Sequence, residues 1–197
     1  MGTYDYYVHG GITVESMGVF ILPDYQLKSG IPYTDVALIM IPTAPLDNPN
    51  IHIMPITSTE VISGQVMTAY GRGLTQDNGV PVPIPQMVDL AAITNELCSQ
   101  LYLGGDIPGS MLCARGPGKE DTCPGDSGGP LTITDAQGKQ YVVGVISWGS
   151  AVCGGTRPAV FARLSARLSD GTIISWINKT MADNPVRFAY LPAVAKP

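Results

Sequence analysis

Glycine and proline punctuate this chain from end to end, 23 and 17 of them in 197 residues, and only short apolar or β-branched runs stand between them. That pattern favours many short strands joined by turns over long helices. An apolar share of 45% against 14% charged residues is enough to bury a sizeable core in one domain or two small ones. The expected fold class is all-β.

Strand signals fall at 12–22, 35–41, 65–70, 87–93, 111–115, 130–134, 141–148 and 159–164. The run 35–41 reads as a short buried strand stopped by Pro42. The stretch 43–63, rich in Pro, Asn, Ser and Thr, connects two halves, so the chain divides into 1–63, 64–181 and a loosely held tail at 182–197. One helix stands out. Ser169 or Asp170 can cap it, and Ile173, Ile177 and Met181 share one face at i, i+4 and i+8, widened by Ile174 and Trp176. A second, shorter helix is expected at 94–102.

The net charge of −5 and pI near 4.8 come without Lys/Arg blocks or an aromatic and basic interleave, which argues against nucleic acid and anionic membrane as partners. No apolar run reaches the length of a membrane span. Four cysteines, Cys98, Cys113, Cys123 and Cys153, show no C-x-x-C pair and stand far from either histidine, so zinc is not expected. An even number in a turn-rich chain points to two disulfides and an oxidising compartment, with three pairings open. The first residues, Met1 to Tyr7, have no basic or apolar region of a signal peptide. The expectation is a fragment, or a start internal to a longer product.

The run with chemical content is Cys123-Pro124-Gly125-Asp126-Ser127-Gly128-Gly129-Pro130-Leu131. A serine hydroxyl becomes a useful nucleophile only when a turn exposes it, a base takes its proton and backbone N–H groups receive the oxyanion. Gly125 can aim its own N–H and that of Ser127 into one small hole. Gly128 and Gly129 leave space for substrate.

Together with Asp35-Val36-Ala37-Leu38-Ile39, Ser147-Trp148-Gly149 and the helix around Trp176-Ile177, this run resembles the chymotrypsin/trypsin family of serine endopeptidases. The Asp35 to Ser127 order and separation suit that family. The resemblance implies two six-stranded β-barrels with the active site between them. Here the first barrel would be incomplete, the second complete from about 64 to 166, and a helix would follow.

It implies that Ser127 is the nucleophile, Asp35 the acid that orients the base, and Gly125 and Ser127 the oxyanion donors. Ser147 would support the acid, and Ser147, Trp148 and Gly149 would form the edge that pairs with extended substrate. Cys98 would pair with Cys113 and Cys123 with Cys153. Asp121 falls where family members that cut after Lys or Arg place a carboxylate, and Ala159 falls on the pocket wall in place of a glycine. Partners would be polypeptide substrates or protein protease inhibitors, acting on a secreted monomer without cofactor or metal.

Two departures accompany the match. The family's histidine sits in a Thr-Ala-Ala-His-Cys-like segment upstream of the acid, and none of the 34 residues before Asp35 resembles it. His9 and His52 read as ordinary loop histidines. The family also uses a freshly cut terminal amine that pairs with the aspartate before the nucleophile, here Asp126, and Met1 cannot supply it. The functional expectation is a trypsin-like endopeptidase whose chain, as it stands, is inactive or severely impaired. The alternatives are a non-catalytic homologue acting as a binding, decoy or inhibitor protein, and a poorly folded inactive fragment. Asn178-Lys179-Thr180 is also a glycosylation sequon.

Overall fold

The computed structural model describes residues 12–42, 49–118 and 120–185. Ten strands and two helices follow in the order β1 (Gly18–Ile21), β2 (Gln26–Lys28), β3 (Ile31–Tyr33), β4 (Ala37–Met40), β5 (Val66–Gly71), β6 (Gln86–Ile93), α1 (Asn95–Leu101), β7 (Met111–Arg115), β8 (Pro130–Thr134), β9 (Gln140–Trp148), β10 (Ala159–Arg163) and α2 (Ile173–Asp183). The class is all-β with a C-terminal helix.

Six strands close into an antiparallel barrel in the ring order β10-β7-β6-β5-β8-β9, with β9 pairing back to β10. Alternation along each strand turns one set of side chains inward. Met67, Leu90, Leu112, Leu131, Val143 and Phe161 meet there, each at most 2% exposed. Each of the larger ones contributes roughly 1.5–3 kcal/mol by leaving water. Register shifts opposite Leu131/Thr132 and Val160/Phe161 leave Val143 and Ser147 as extra residues on β9 and bend that strand, at Ser147 next to the site.

Residues 12–42 behave differently. Among the described residues β1 pairs only with β4, and β2 with β3. The strand expected over 12–22 shrinks to Gly18–Ile21 because its partner offers four residues of ladder. The expected buried strand at 35–41 shrinks to β4 and alternates, with Ile39 65% exposed. Val36 keeps only half of its ladder pairing, its carbonyl accepting from Leu22 N–H at 3.1 Å while its own N–H turns back to Thr34 O at 2.9 Å. Leu22 and Val36 nonetheless join Ala162, Leu164, Ile173 and Ile177 in a second buried cluster, which seats β1 and β4 against α2. The β2–β3 hairpin lays Ile31 and Tyr33 on a third cluster around Cys98, Met111, Cys113 and Val160.

The connection to the barrel is pinned along it. Thr57 N–H donates to Val142 O (3.1 Å) and Val142 N–H to Pro55 O (2.9 Å). Arg163 reaches Glu60 at 2.7 Å, and Ser165 Oγ donates to the other Glu60 oxygen at 2.9 Å.

Both helices follow from their caps. Thr94 Oγ1 accepts from Leu97 N–H and opens α1. α2 opens at Thr172, in a reciprocal box with Ser175, and not at Ser169 or Asp170. Gly171 at φ +92° breaks the chain just before it, and Ser169 N–H and Oγ donate to Asp24 instead. Ile173 and Ile177 are buried as expected, but Met181 is 64% exposed. The last turn runs past the cluster that buries the first two.

Candidate active site

The turn that carries Ser127 lies between the barrel's Cys123–Cys153 disulfide and the start of β8. Gly125 has φ +98°, a conformation that side chains resist. A Cβ there would also stand 2.9 Å from Gly73 Cα. The turn is tied by Asp126 N–H to Cys123 O (3.1 Å), Gly129 N–H to Asp126 O (2.9 Å) and Gly128 N–H to Ile146 O (2.9 Å). Ser127 is exposed at its crest. The N–H groups of Gly125 and Ser127 have no hydrogen-bond partner among the described residues, whereas those of Asp126, Gly128 and Gly129 do. Two unpaired donors beside an exposed hydroxyl are what a developing oxyanion requires.

Ser147, at the end of β9, donates from Oγ to Asp35 Oδ2 at 2.6 Å. The bond joins residues 112 apart in sequence and brings the segment before β4 to the nucleophile's side of the barrel. Asp35 is partly buried between Thr34 and Val36, both buried. Thr34 holds φ +54°, a strained conformation for a β-branched residue, and it aims the acid out of the ladder.

A slot of about 170 Å³ opens beside Ser127, lined also by Cys123, Ser147, Trp148 and Gly149. Of the residues expected around it, two are placed elsewhere. Ala159 is 1% exposed and packs in the barrel core. Asp121 lines a neighbouring cavity of about 490 Å³, together with Asp126, Cys123 and Cys153. Its Oδ1 accepts from Thr122 N–H (2.8 Å), while Oδ2 is buried without a partner. Burial, opposed by the Thr122 bond and reinforced by Asp126, pushes the Asp121 carboxyl up to about 6.

Asp126 turns inward. Its Oδ1 accepts from Gly73 N–H at 2.7 Å and its Oδ2 from Cys123 N–H at 2.9 Å.

Tyr102 escaped the sequence reading. Its hydroxyl donates to Pro158 O at 2.6 Å, and its ring meets Trp148 edge-on at 5.0 Å. It therefore braces the slot wall from behind. Burial, then the charge of Asp121, push this hydroxyl up to about 12. The only signal in sequence was its place at the end of the short helix signal. Both disulfides, Cys98–Cys113 and Cys123–Cys153, are formed. His52 lies exposed in the connection, and His9 falls outside the described residues. Among the described residues no acidic, histidine and cysteine cluster could hold a metal.

An exposed serine on a glycine turn, unpaired N–H groups at its base and an acid anchored by a second serine make up a serine-peptidase type of site on a β-barrel. The trypsin family profile matches residues 7–171, and the chain belongs to that family. It is 36% identical to "Trypsin zeta" of Drosophila melanogaster over 146 residues, 70% of this chain and 50% of the relative. It is 34% identical to "Testisin" of Homo sapiens over 178 residues, 84% and 52%. With "Transmembrane protease serine 11G" of Mus musculus it shares 33% identity over 138 residues, 66% and 32%. The chain thus spans about half or less of the length of these relatives. No helix among the described residues is long and apolar enough to cross a membrane.

Proposed function

We propose that this chain carries the nucleophile, acid and oxyanion donors of a secreted endopeptidase that cuts polypeptides after Lys or Arg. Ser127 Oγ attacks the scissile carbonyl carbon, and the oxygen that gains charge is received by Gly125 and Ser127 N–H. The Ser127 proton passes to a histidine base, which gives it to the leaving amine, and water, losing a proton to the same base, later releases the acyl group from Ser127 as the serine regains its proton. Asp35 is the group that would orient the histidine base, and Ser147 holds Asp35. Ser147, Trp148 and Gly149 pair with extended substrate, and Asp121 receives the basic side chain once its carboxyl ionises. The observation that carries this reading is the 2.6 Å Ser147–Asp35 bond on the slot that Ser127 borders.

The general base is the missing part. Neither His9 nor His52 stands in the family's histidine segment, and removal of that base in a related mechanism lowers turnover by about a millionfold. The chain by itself should therefore be close to inactive, although its two disulfides suit an extracellular setting. A fluorophosphonate probe tests this. Ser127 should label in a version extended upstream to include a histidine segment and stay unlabelled in the 197-residue chain. Equal labelling of the two overturns the account of the base, and no labelling of the extended form overturns the peptidase reading.

A further inference from the structure

Helix α2 carries a motif that the peptidase reading leaves unused. Asn178-Lys179-Thr180 is a glycosylation sequon, and none of the other five asparagines has Ser or Thr two residues later. Sugar linked through asparagine therefore has one place to go on this chain.

The helix sets that place on its solvent side. Ile173 and Ile177 face the second buried cluster, with Trp176 packed against it. At about 100° per residue, Asn178 stands about 140° round from Ile173, and it is exposed. Polar neighbours on the helix are engaged. Ser175 closes the capping box with Thr172, Lys179 pairs with Asp183, and Asn184 donates to Thr180 O. The Asn178 side-chain amide has no partner among the described residues, so a group attached there breaks no bond of the fold. Met181, three residues on and a neighbour on the helix surface, is 64% exposed. It borders an apolar groove with Phe20, Leu38 and Met40.

We propose that Asn178 carries an N-linked oligosaccharide that covers Met181 and this end of α2. The inference goes beyond the role of Ser127. It rests only on the part of the proposed function that sends the chain through an oxidising, secretory compartment, which suits its two disulfides. In the transfer, Asn178 Nδ2 bonds to the anomeric carbon of an oligosaccharide diphosphate, the C–O bond to the diphosphate breaks, and Nδ2 gives up a proton. A bulky, water-seeking group then sits where the helix leaves an apolar side chain uncovered. The fold also orders the step. Transfer reads the Asn178 amide and the Thr180 hydroxyl together, but positions two apart on a helix do not face each other. Asn178 is therefore modified before α2 closes, and the folded chain is no substrate.

Expression of the 197-residue chain behind a secretion leader in cultured mammalian cells tests this, with cells and medium both collected. An N-glycanase should raise its electrophoretic mobility and leave an aspartate at position 178 in the peptide map. Asn178→Gln and Thr180→Ala should migrate as the deglycosylated parent does. Thr180→Ser keeps the hydroxyl and should keep the shift. Hydrogen peroxide should oxidise Met181 more slowly in the glycosylated chain than in the glycanase-treated one. A parent without the shift, or a shift that survives Thr180→Ala, overturns the glycan. Equal oxidation of Met181 overturns its covering, and sugar transfer by microsomal membranes to the folded, unmodified chain overturns the order of events. The fluorophosphonate experiment reads Ser127 alone, so the peptidase reading and the glycan fail separately.

Discussion

The closed barrel and the β1–β4 pair are built from similar residues and protect them very differently. In the barrel every strand has two partners, and Phe161, Leu131 and Leu90 are completely hidden. In the pair each strand has one among the described residues, and Val19, Ile21 and Ile39 stand 59%, 62% and 65% exposed. Closure, more than composition, decides which apolar residues stabilise the fold, because a sheet buries a face only when something covers it. The site straddles this boundary. Ser127, Gly125 and the slot belong to the barrel, whereas Asp35 sits at the head of β4.

The widest contrast is between two apolar truncations. Phe161→Ala should cost about 3–5 kcal/mol, because a ring is removed from a packed interior that relaxes only in part. Ile39→Ala should cost no more than about 0.5 kcal/mol, as surface changes usually do. Urea unfolding of both variants measures the difference. Similar losses would show that the β1–β4 face is covered in solution, and the contrast between the regions would collapse.

The legibility of the chain follows the same line. The barrel strands were readable to within a residue or so, since each is a mainly apolar or β-branched run set between turn residues. β1 and β4 were overestimated, because strand propensity in 12–22 and 35–41 says nothing about how many partners exist. Ser127, Gly125 and Asp35 could be picked out by motif and order. Asp121 could be found but not aimed, since the face of a loop carboxylate depends on which neighbours crowd it. Tyr102 acts through a contact 56 residues away, and no local pattern announces such a distance.

Gly71→Ala comes next in size. The added methyl would overlap the Asp126 carboxylate, so either β5 or the nucleophile turn must shift, at about 1–3 kcal/mol. Benzamidine affinity should fall with it, because Cys123 borders both the slot and the Asp121 cavity. Gly64→Ala is a fitting control. Gly64 has φ +86°, so the change strains the backbone, but its Cβ would meet nothing within 4 Å. A loss of stability in both with a loss of affinity in neither would break the link between the turn and the slot.

Asp121 sharpens the comparison through pH. Its carboxyl is pushed up to about 6, chiefly by burial, from the ordinary 3.8 of the unfolded chain. The folded state therefore holds the proton more tightly. The stability that this proton confers is fully present below about pH 3.8 and is lost as pH rises through about 6. Asp121→Asn should then stabilise the chain at pH 7 by about 1–2 kcal/mol, after allowance for the solvent that reaches this partly exposed side chain. It should change little at pH 3.5. Benzamidine binding in the parent should rise across the same window as the carboxylate forms. Unfolding curves at the two pH values carry the sign, and a stabilisation that persists at pH 3.5 would assign the effect to something other than charge.

The smallest effect expected is the one that joins the two regions. Ser147→Ala removes the 2.6 Å bond to Asp35 and should cost about 1 kcal/mol, because Asp35 is only partly buried and water can replace the lost donor. Asp35→Ala, which removes the acceptor, should cost a similar amount. If the bond is a tether between the barrel and the β1–β4 pair, the double variant should lose no more than about either single one, since each change removes the same link. Losses that add would mean that Ser147 and Asp35 are stabilised by separate neighbours. The acid would then owe its position to Thr34 and Val36, and it would belong energetically to the open region and not to the barrel that carries the nucleophile.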